Sequence, residues 1–191
     1  DAEPKYSGYT VWRGLVPTRG VPGPPSGSAN VNGTQYATLG FPVRGAEGVE
    51  LWNCGIYMAM PEAEVAPPAR NRQVGAEART LPPWFLPLVA RLFDKPSTAF
   101  WAACAEGGKV TQHPVWEFAA PSLVKGRVAL LGDAAHMATP RTGAGAYTAM
   151  VDAVSLGQAV RRAQSLDQAL QLYNEDGAKR ARELLRRSQE L

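Results

Sequence analysis

Strand-like alternation of apolar and polar positions marks the amino-terminal part of the chain, and helical periodicity takes over towards the end. Residues Tyr6 to Val16 alternate as a strand, with Tyr9, Val11 and Arg13 on one face and Thr10, Trp12 and Gly14 on the other. Pro17 to Asn30 is rich in Gly, Pro and Ser and reads as a surface loop. Gln35 to Val43 and Val49 to Met58 read as two strands, joined by Arg44 to Gly48 as a hairpin connection of ordinary length. The second strand sets Trp52, Cys54, Ile56 and Met58 on one face, so Cys54 reads as a core filler rather than a nucleophile. Pro61 to Pro68 is another loop. Arg70 to Phe93 is helix-like, and Pro82, Pro83 and Pro87 divide it into two pieces. Ala99 to Cys104 and Val110 to Phe118 read as the last strands of an antiparallel sheet. His113, with no second ligand spaced near it, reads as a structural or surface histidine.

The next stretch, residues 126 to 145, predicts strand, tight turn and helix in immediate succession. Val128 to Leu131 is a short unbroken apolar run, which suits a strand covered on both faces. Gly132 lets the backbone turn, and Asp133 follows at the strand's carboxyl end, where ligands bind in open α/β sheets. Pro140, Gly143 and Gly145 precede a long helix, so free backbone amides point into the same crevice. A carboxylate for hydroxyl groups and a positive helix end for an anionic edge describe a cofactor site of the kind a flavin needs. Along the helix, Tyr147, Met150, Val151 and Val154 share one face, while Thr148, Asp152 and Ser155 share another. Arg161 and Arg162 suit its carboxyl end. Ser165 and Gln168 form a capping box for a last helix towards Leu191, with Leu166, Leu170 and Tyr173 as the inward stripe. Gly177 inside that helix costs about 1 kcal/mol relative to Ala and marks a candidate break.

Composition narrows the classes. The 191 residues could hold one ordinary domain or parts of two, and 45% hydrophobic with 19% charged residues excludes a disordered chain. No apolar run reaches membrane-spanning length and no signal-peptide pattern opens the sequence as given, so the expected compartment is the cytoplasm. The net charge of +3 gathers at Lys179, Arg180, Arg182, Arg186 and Arg187. Glu183 and Glu190 interleave there and no aromatics accompany them, so a solvated helix face is expected rather than a nucleic-acid partner. Cys54 and Cys104 have no metal spacing and make no disulfide framework; no metal is expected.

Gly126, Arg127, Val128, Leu130, Gly132, Asp133, Ala134, Ala135, His136, Pro140, Gly143, Gly145 and Asp152 together resemble a known pattern. It is the second flavin fingerprint of the FAD-dependent aromatic-ring monooxygenases, the family of para-hydroxybenzoate hydroxylase. Tyr147 stands where that family usually has Asn, and Ala144 where it often has Gln or Lys. Tyr6 to Gly14 is similar to the Tyr-x-Gly-Tyr-x-x-Trp-Arg-Gly strand of dihydroxypyridine hydroxylases. No Gly-x-Gly-x-x-Gly follows a strand near the amino terminus, so the resemblance implies roughly the carboxyl half of such an enzyme. The missing amino-terminal Rossmann half would then be its partner.

The resemblance implies a mixed α+β and α/β fold. An antiparallel substrate-domain sheet would occupy residues 1–118. The carboxyl-terminal strand and helices of a Rossmann-type FAD-binding domain would occupy 119–162, with a final helix over 163–191. It implies FAD as cofactor, NAD(P)H as reductant and a small aromatic or isoprenoid-like substrate. The ring would be hydroxylated, or an alkene epoxidised, by oxygen carried as a flavin hydroperoxide. Expected cofactor contacts are Gly132, Asp133, Ala134, His136, Pro140, Gly143, Ala144, Gly145 and Ala146, with Arg13 and Tyr147 facing flavin or substrate. Asp133 would accept from ribityl hydroxyls or else cap the turn, and Arg13 would face the site or pair with a nearby carboxylate. His136 is expected to be architectural, and no catalytic acid–base pair can be named. The rival reading is a non-catalytic flavin-fold binding module, favoured by Tyr147 and by the missing half. A halogenase Trp-x-Trp-x-Ile-Pro pattern is not found.

Overall fold

The computed structural model describes residues 3–24, 26–31, 34–61, 76–77, 81–107 and 109–190. Its contacts divide into two units, Gly8–Val115 and a second made of Asp1–Ser7 with Trp116–Leu191.

The first unit is built on a mostly antiparallel sheet. Strand β1 (Lys5–Pro17) pairs with β4 (Glu50–Ala59) from Tyr9 opposite Ala59 to Pro17 opposite Leu51. Beyond β4 lie β3 (Thr34–Arg44) and then β2 (Gly27–Val31). On the other side of β1 lie β6 (Lys109–Ala119) and the two-residue β5 (Ala76–Glu77). Alternation does its work on β4, where Cys54, Ile56 and Met58 are buried on one face. On β1 it does not, because Thr10, Val11 and Trp12 are buried in succession and the middle of the strand is covered on both sides.

Among the described residues, α1 (Phe85–Leu92) and α2 (Lys95–Gly107) are the α-helices of this unit. Helix α2 lies over Gly14, where a Cβ would stand 2.8 Å from Cys104 Sγ and 3.0 Å from Trp101. The close approach therefore requires glycine on the strand. Phe85 bridges the layers, its ring centroid 5.3 Å from Trp12 and 5.1 Å from Trp101. Burial pushes the Cys54 thiol up to about 11, and burial with the neighbouring Cys54 pushes Cys104 to about 12. Both are packing groups.

Several expectations need correction here. Ala99–Cys104 is helix, not strand: Phe100, Trp101 and Cys104 bury one helical face, and Asp94 caps the start by accepting the Ser97 N–H at 3.0 Å. The loop expected to Asn30 ends at Gly27, where β2 begins pairing with β3. Of the helix-like stretch from Arg70, residues 70–75 and 78–80 lie outside the described residues, as do residues 62–68 of the preceding loop. Ala76–Glu77 is extended and paired with β6, and α1 starts only at Phe85. Pro87 is tolerated because it sits in the helix's first turn, where its missing N–H would have no intrahelical partner.

In the second unit, Val124–Lys125 (β7) and Val128–Ala129 (β8) form a short antiparallel ribbon around Gly126, and His136–Met137 (β9) pairs with the end of β6. The expected buried strand Val128–Leu131 is thus only two residues of ribbon, and Val128 is 64% exposed. An unbroken apolar run does not by itself say that both faces are covered.

Helices α3 (Gly145–Arg162) and α4 (Leu166–Gln189) pack around a core of Leu123, Tyr173 and alanines 135, 159, 169, 178 and 181. Ser165 caps α4 by accepting the Gln168 N–H, while the Gln168 side chain accepts from Gln164 N–H, one residue upstream of the ideal box. Leu170 and Tyr173 point inward as expected, but Leu166 is 46% exposed. Gly177 causes no break. A Cβ there would meet Leu123 Cδ2 at 2.5 Å, so the residue is glycine for contact, not for flexibility.

On α3 the apolar and polar faces are exchanged relative to a simple amphipathic helix. Thr148 and Asp152 are buried, whereas Tyr147, Met150 and Val154 are 67%, 61% and 59% exposed. Between Gly145 and Val160 the helix carries a single charged residue, Asp152, and that one is inside. Among the described residues, no helix is long and apolar enough to cross a membrane, and no group of three His, Cys, Asp or Glu could hold a metal.

Candidate functional site

Leu130 and Leu131 lead into a three-residue turn, Gly132–Ala134. Gly132 has φ 56°, and a Cβ there would press on Ala149 at 3.1 Å, so glycine serves both the turn and the approach of α3. Ala135 N–H closes the turn on the Gly132 carbonyl at 2.8 Å. Asp133 and Ala134 are exposed at its tip. Asp133 has no side-chain hydrogen bond or ion pair among the described residues, and the turn has no side-chain cap.

Behind the tip is a buried charge cluster. Asp152 Oδ2 accepts the Gly132 N–H at 3.2 Å and faces His136 Nε2 at 2.7 Å. Its Oδ1 accepts from Arg180 Nε at 3.2 Å and Nη2 at 3.1 Å. His136 is buried, and its Nδ1 has no hydrogen-bond partner among the described residues. Tyr173 closes the cluster by donating to the Leu130 carbonyl at 2.6 Å. Burial, with the Asp152 charge adding and Arg180 opposing, pushes the Tyr173 phenol up to about 12.

A second set of bonds shapes the loop before α3. Ser188 Oγ accepts the Thr139 N–H at 2.7 Å and donates to the buried Glu117 carboxylate. Thr139 Oγ1 accepts the Arg141 N–H, and Thr142 Oγ1 both donates to the Thr139 carbonyl and accepts the Ala144 N–H. Pro140 opens the resulting short turn and Gly143, at φ 62°, ends it. Helix α3 then begins with no side-chain cap and no acidic residue in its first turn. Its first amides, from Gly145 to Tyr147, precede the first helical bond, Thr148 N–H to the Ala144 carbonyl. A Cβ added at Gly143 or Gly145 would meet nothing within 4 Å, so the approach to these amides is open.

The expected contacts Gly132, Asp133, Ala134, His136, Pro140, Gly143, Ala144, Gly145, Ala146 and Tyr147 therefore all lie in one unit, on the turn, the loop and the first turn of α3. Arg13 belongs to the other unit, exposed on β1 opposite Gly55. The Asp152–Arg180 pair and the Glu117–Ser188–Thr139 chain were not anticipated. One signal was available: a lone acid in a helix that carries no other charge before Arg161.

An acceptor for hydroxyls beside an uncapped helix end is chemistry that suits FAD, and residues 96–188 match the family described as FAD binding domain. The FAD-dependent monooxygenase SAT7 of Stachybotrys chartarum is 40% identical over 107 residues, which cover 54% of this chain and 20% of that protein. The chain is thus similar to FAD-dependent monooxygenases. Of solved structures, HpxO of Klebsiella pneumoniae, complexed with FAD and uric acid, is similar at 26% identity and TM-score 0.65, covering 100% of this chain and 45% of that one. The 2,6-dihydroxypyridine-3-hydroxylase of Arthrobacter nicotinovorans shares the fold at TM-score 0.72 and 21% identity, covering 98% and 51%. The chain spans about half the length of these solved structures.

Proposed function

We propose that this chain carries the flavin-ribityl and flavin-edge part of an NAD(P)H-dependent monooxygenase acting on a small aromatic or heteroaromatic ring, or on an alkene of an isoprenoid-like substrate. The observation that carries the reading is Asp133, an exposed carboxylate without a partner among the described residues, held on a rigid turn in the same unit as an uncapped helix start. When bound, FAD supplies the redox chemistry, taking electrons from NAD(P)H and passing them to oxygen.

The residues of this chain do the rest. Asp133 accepts hydrogen bonds from flavin hydroxyls. Gly132 and Ala134 keep that surface low, and Pro140 shapes the loop beside the ring. The Gly143 and Ala144 amides are taken up by the Pro140 carbonyl and Thr142 Oγ1, so it is the amides of Gly145 and Ala146, with the positive end of α3, that stabilise negative charge on the flavin edge. Tyr147 stands at the rim of that edge, His136 supports the turn from inside, and Arg13 faces substrate or flavin. In this reading residues 1–118 form the substrate-binding sheet, 119–162 the closing strand and helix of a Rossmann-type flavin domain, and 163–191 its last helix. The Rossmann half that holds the ADP end of FAD is the remaining partner. The non-catalytic alternative is not favoured by relatives that are monooxygenases.

The test is FAD titration by flavin fluorescence on the chain joined to its amino-terminal half, as wild type and as Asp133→Ala. The expected result is roughly ten- to hundredfold weaker binding in the variant, the scale of one hydrogen bond to a charged acceptor. Unchanged affinity with a lower melting temperature would make Asp133 a turn cap and overturn the assignment.

A further inference from the structure

Arg180 stands apart from the other cations of α4. Arg186 and Arg187 pair with Glu183 on their own helix, in the open. Arg180 instead turns inward to Asp152, which lies 28 residues earlier and is fully buried. A buried carboxylate is costly unless paired, and here the pairing is divided between its two oxygens. Both guanidinium contacts go to Oδ1, so Oδ2 is left for Gly132 N–H and His136 Nε2.

Gly132 has little conformational preference of its own, so the hydrogen bond from its N–H decides where the turn stands. We propose that Arg180 is a positioning residue for the flavin-facing turn: by holding Asp152 from one side it sets Gly132 and His136 on the other, and so the direction in which Asp133 meets the cofactor. This rests on the reading that the turn faces FAD. Without the guanidinium, the Asp152 carboxylate has lost the partner on its Oδ1 side and rotates to find another donor. That change withdraws a well-placed acceptor from Gly132 while leaving the helix–helix core of Tyr173 and the alanines in place.

The test compares Arg180→Met, Arg180→Lys and Leu184→Ala, the last a buried residue of the same helix used to produce a general loss of stability. Two quantities are read in each: FAD affinity of the chain joined to its amino-terminal half, and amide exchange at Gly132. Arg180→Met is expected to bind FAD about tenfold more weakly and to exchange the Gly132 amide faster, with Arg180→Lys in between, because a charge-assisted pair is lost or weakened. Leu184→Ala should lower the melting temperature without moving FAD affinity. Unchanged affinity and unchanged Gly132 exchange in the Arg180 variants would overturn the proposal, as would a Leu184→Ala protein that loses affinity equally. If Arg180→Met does not fold, Arg180→Lys decides on the same two readings. If the wild type binds no FAD, the functional reading fails, and Gly132 exchange still reports whether Arg180 holds the turn.

Discussion

At the scale of single residues, glycine positions make the sharpest predictions. Helix propensity alone says that Gly177→Ala should stabilise α4 by about 1 kcal/mol. The structure says the opposite, because the new methyl would run into Leu123, itself fully buried. The expected outcome is a net loss of about 1–3 kcal/mol by urea denaturation, the usual cost of overpacking. Residues whose role is local were legible in the sequence: Gly132 and Gly143 both adopt positive φ where the pattern requires a turn. Partners far apart in the chain were not. Asp152 could be read as an acid on a helix, but nothing near it in sequence names Arg180, and Ser188 is separated from Glu117 by 71 residues. Such pairs are products of packing, and no period or spacing encodes them.

At the scale of elements, α3 offers a direct comparison of two faces of one helix. Asp152→Ala would leave Arg180 without its partner and the Gly132 amide without an acceptor. Its expected cost is about 3–5 kcal/mol, the range for breaking a buried ion pair from one side. Met150→Lys, on the opposite and exposed face, should change the stability of this chain by under about 0.5 kcal/mol in the same assay. Strands β1, β3, β4 and β6 form close to where the pattern puts them, most plainly β4, because a half-buried strand writes its period into the sequence. Two elements were hidden for identifiable reasons. Strand β2 lies in a Gly/Ser-rich segment whose composition suits a loop, and it is extended because β3 supplies its hydrogen bonds. The aromatic run at the centre of α2 has strand-like residues, yet the buried set Ser97, Phe100, Trp101 and Cys104 has helical spacing, and tertiary packing overrides propensity.

At the scale of the whole molecule, the buried proton-bearing groups make alkaline pH the sensitive direction. Cys54 and Cys104 hold their protons to about 11 and 12 against an ordinary 9.0, and Tyr173 to about 12 against 10.0. Each binds its proton more tightly folded than unfolded. Its contribution is therefore whole below the ordinary value and is lost as pH rises towards the folded one. Urea midpoints should fall steadily above pH 9. Tyr173→Phe should flatten the fall between 10 and about 12, while lowering stability at neutral pH because the Leu130 carbonyl loses its donor. The division into two units was not visible in composition, since Asp1–Ser7 groups with residues more than a hundred positions away. The exposed side of α3 has a further consequence, for the chain as a colloid. From Gly145 to Val160 the helix has no charge outside and that stretch carries no like-sign repulsion, and the net charge of +3 is modest for 191 residues. Sulfate or phosphate, which strengthen apolar burial, should therefore raise the light scattering of concentrated samples, and placing lysines at Met150 and Val154 should suppress it.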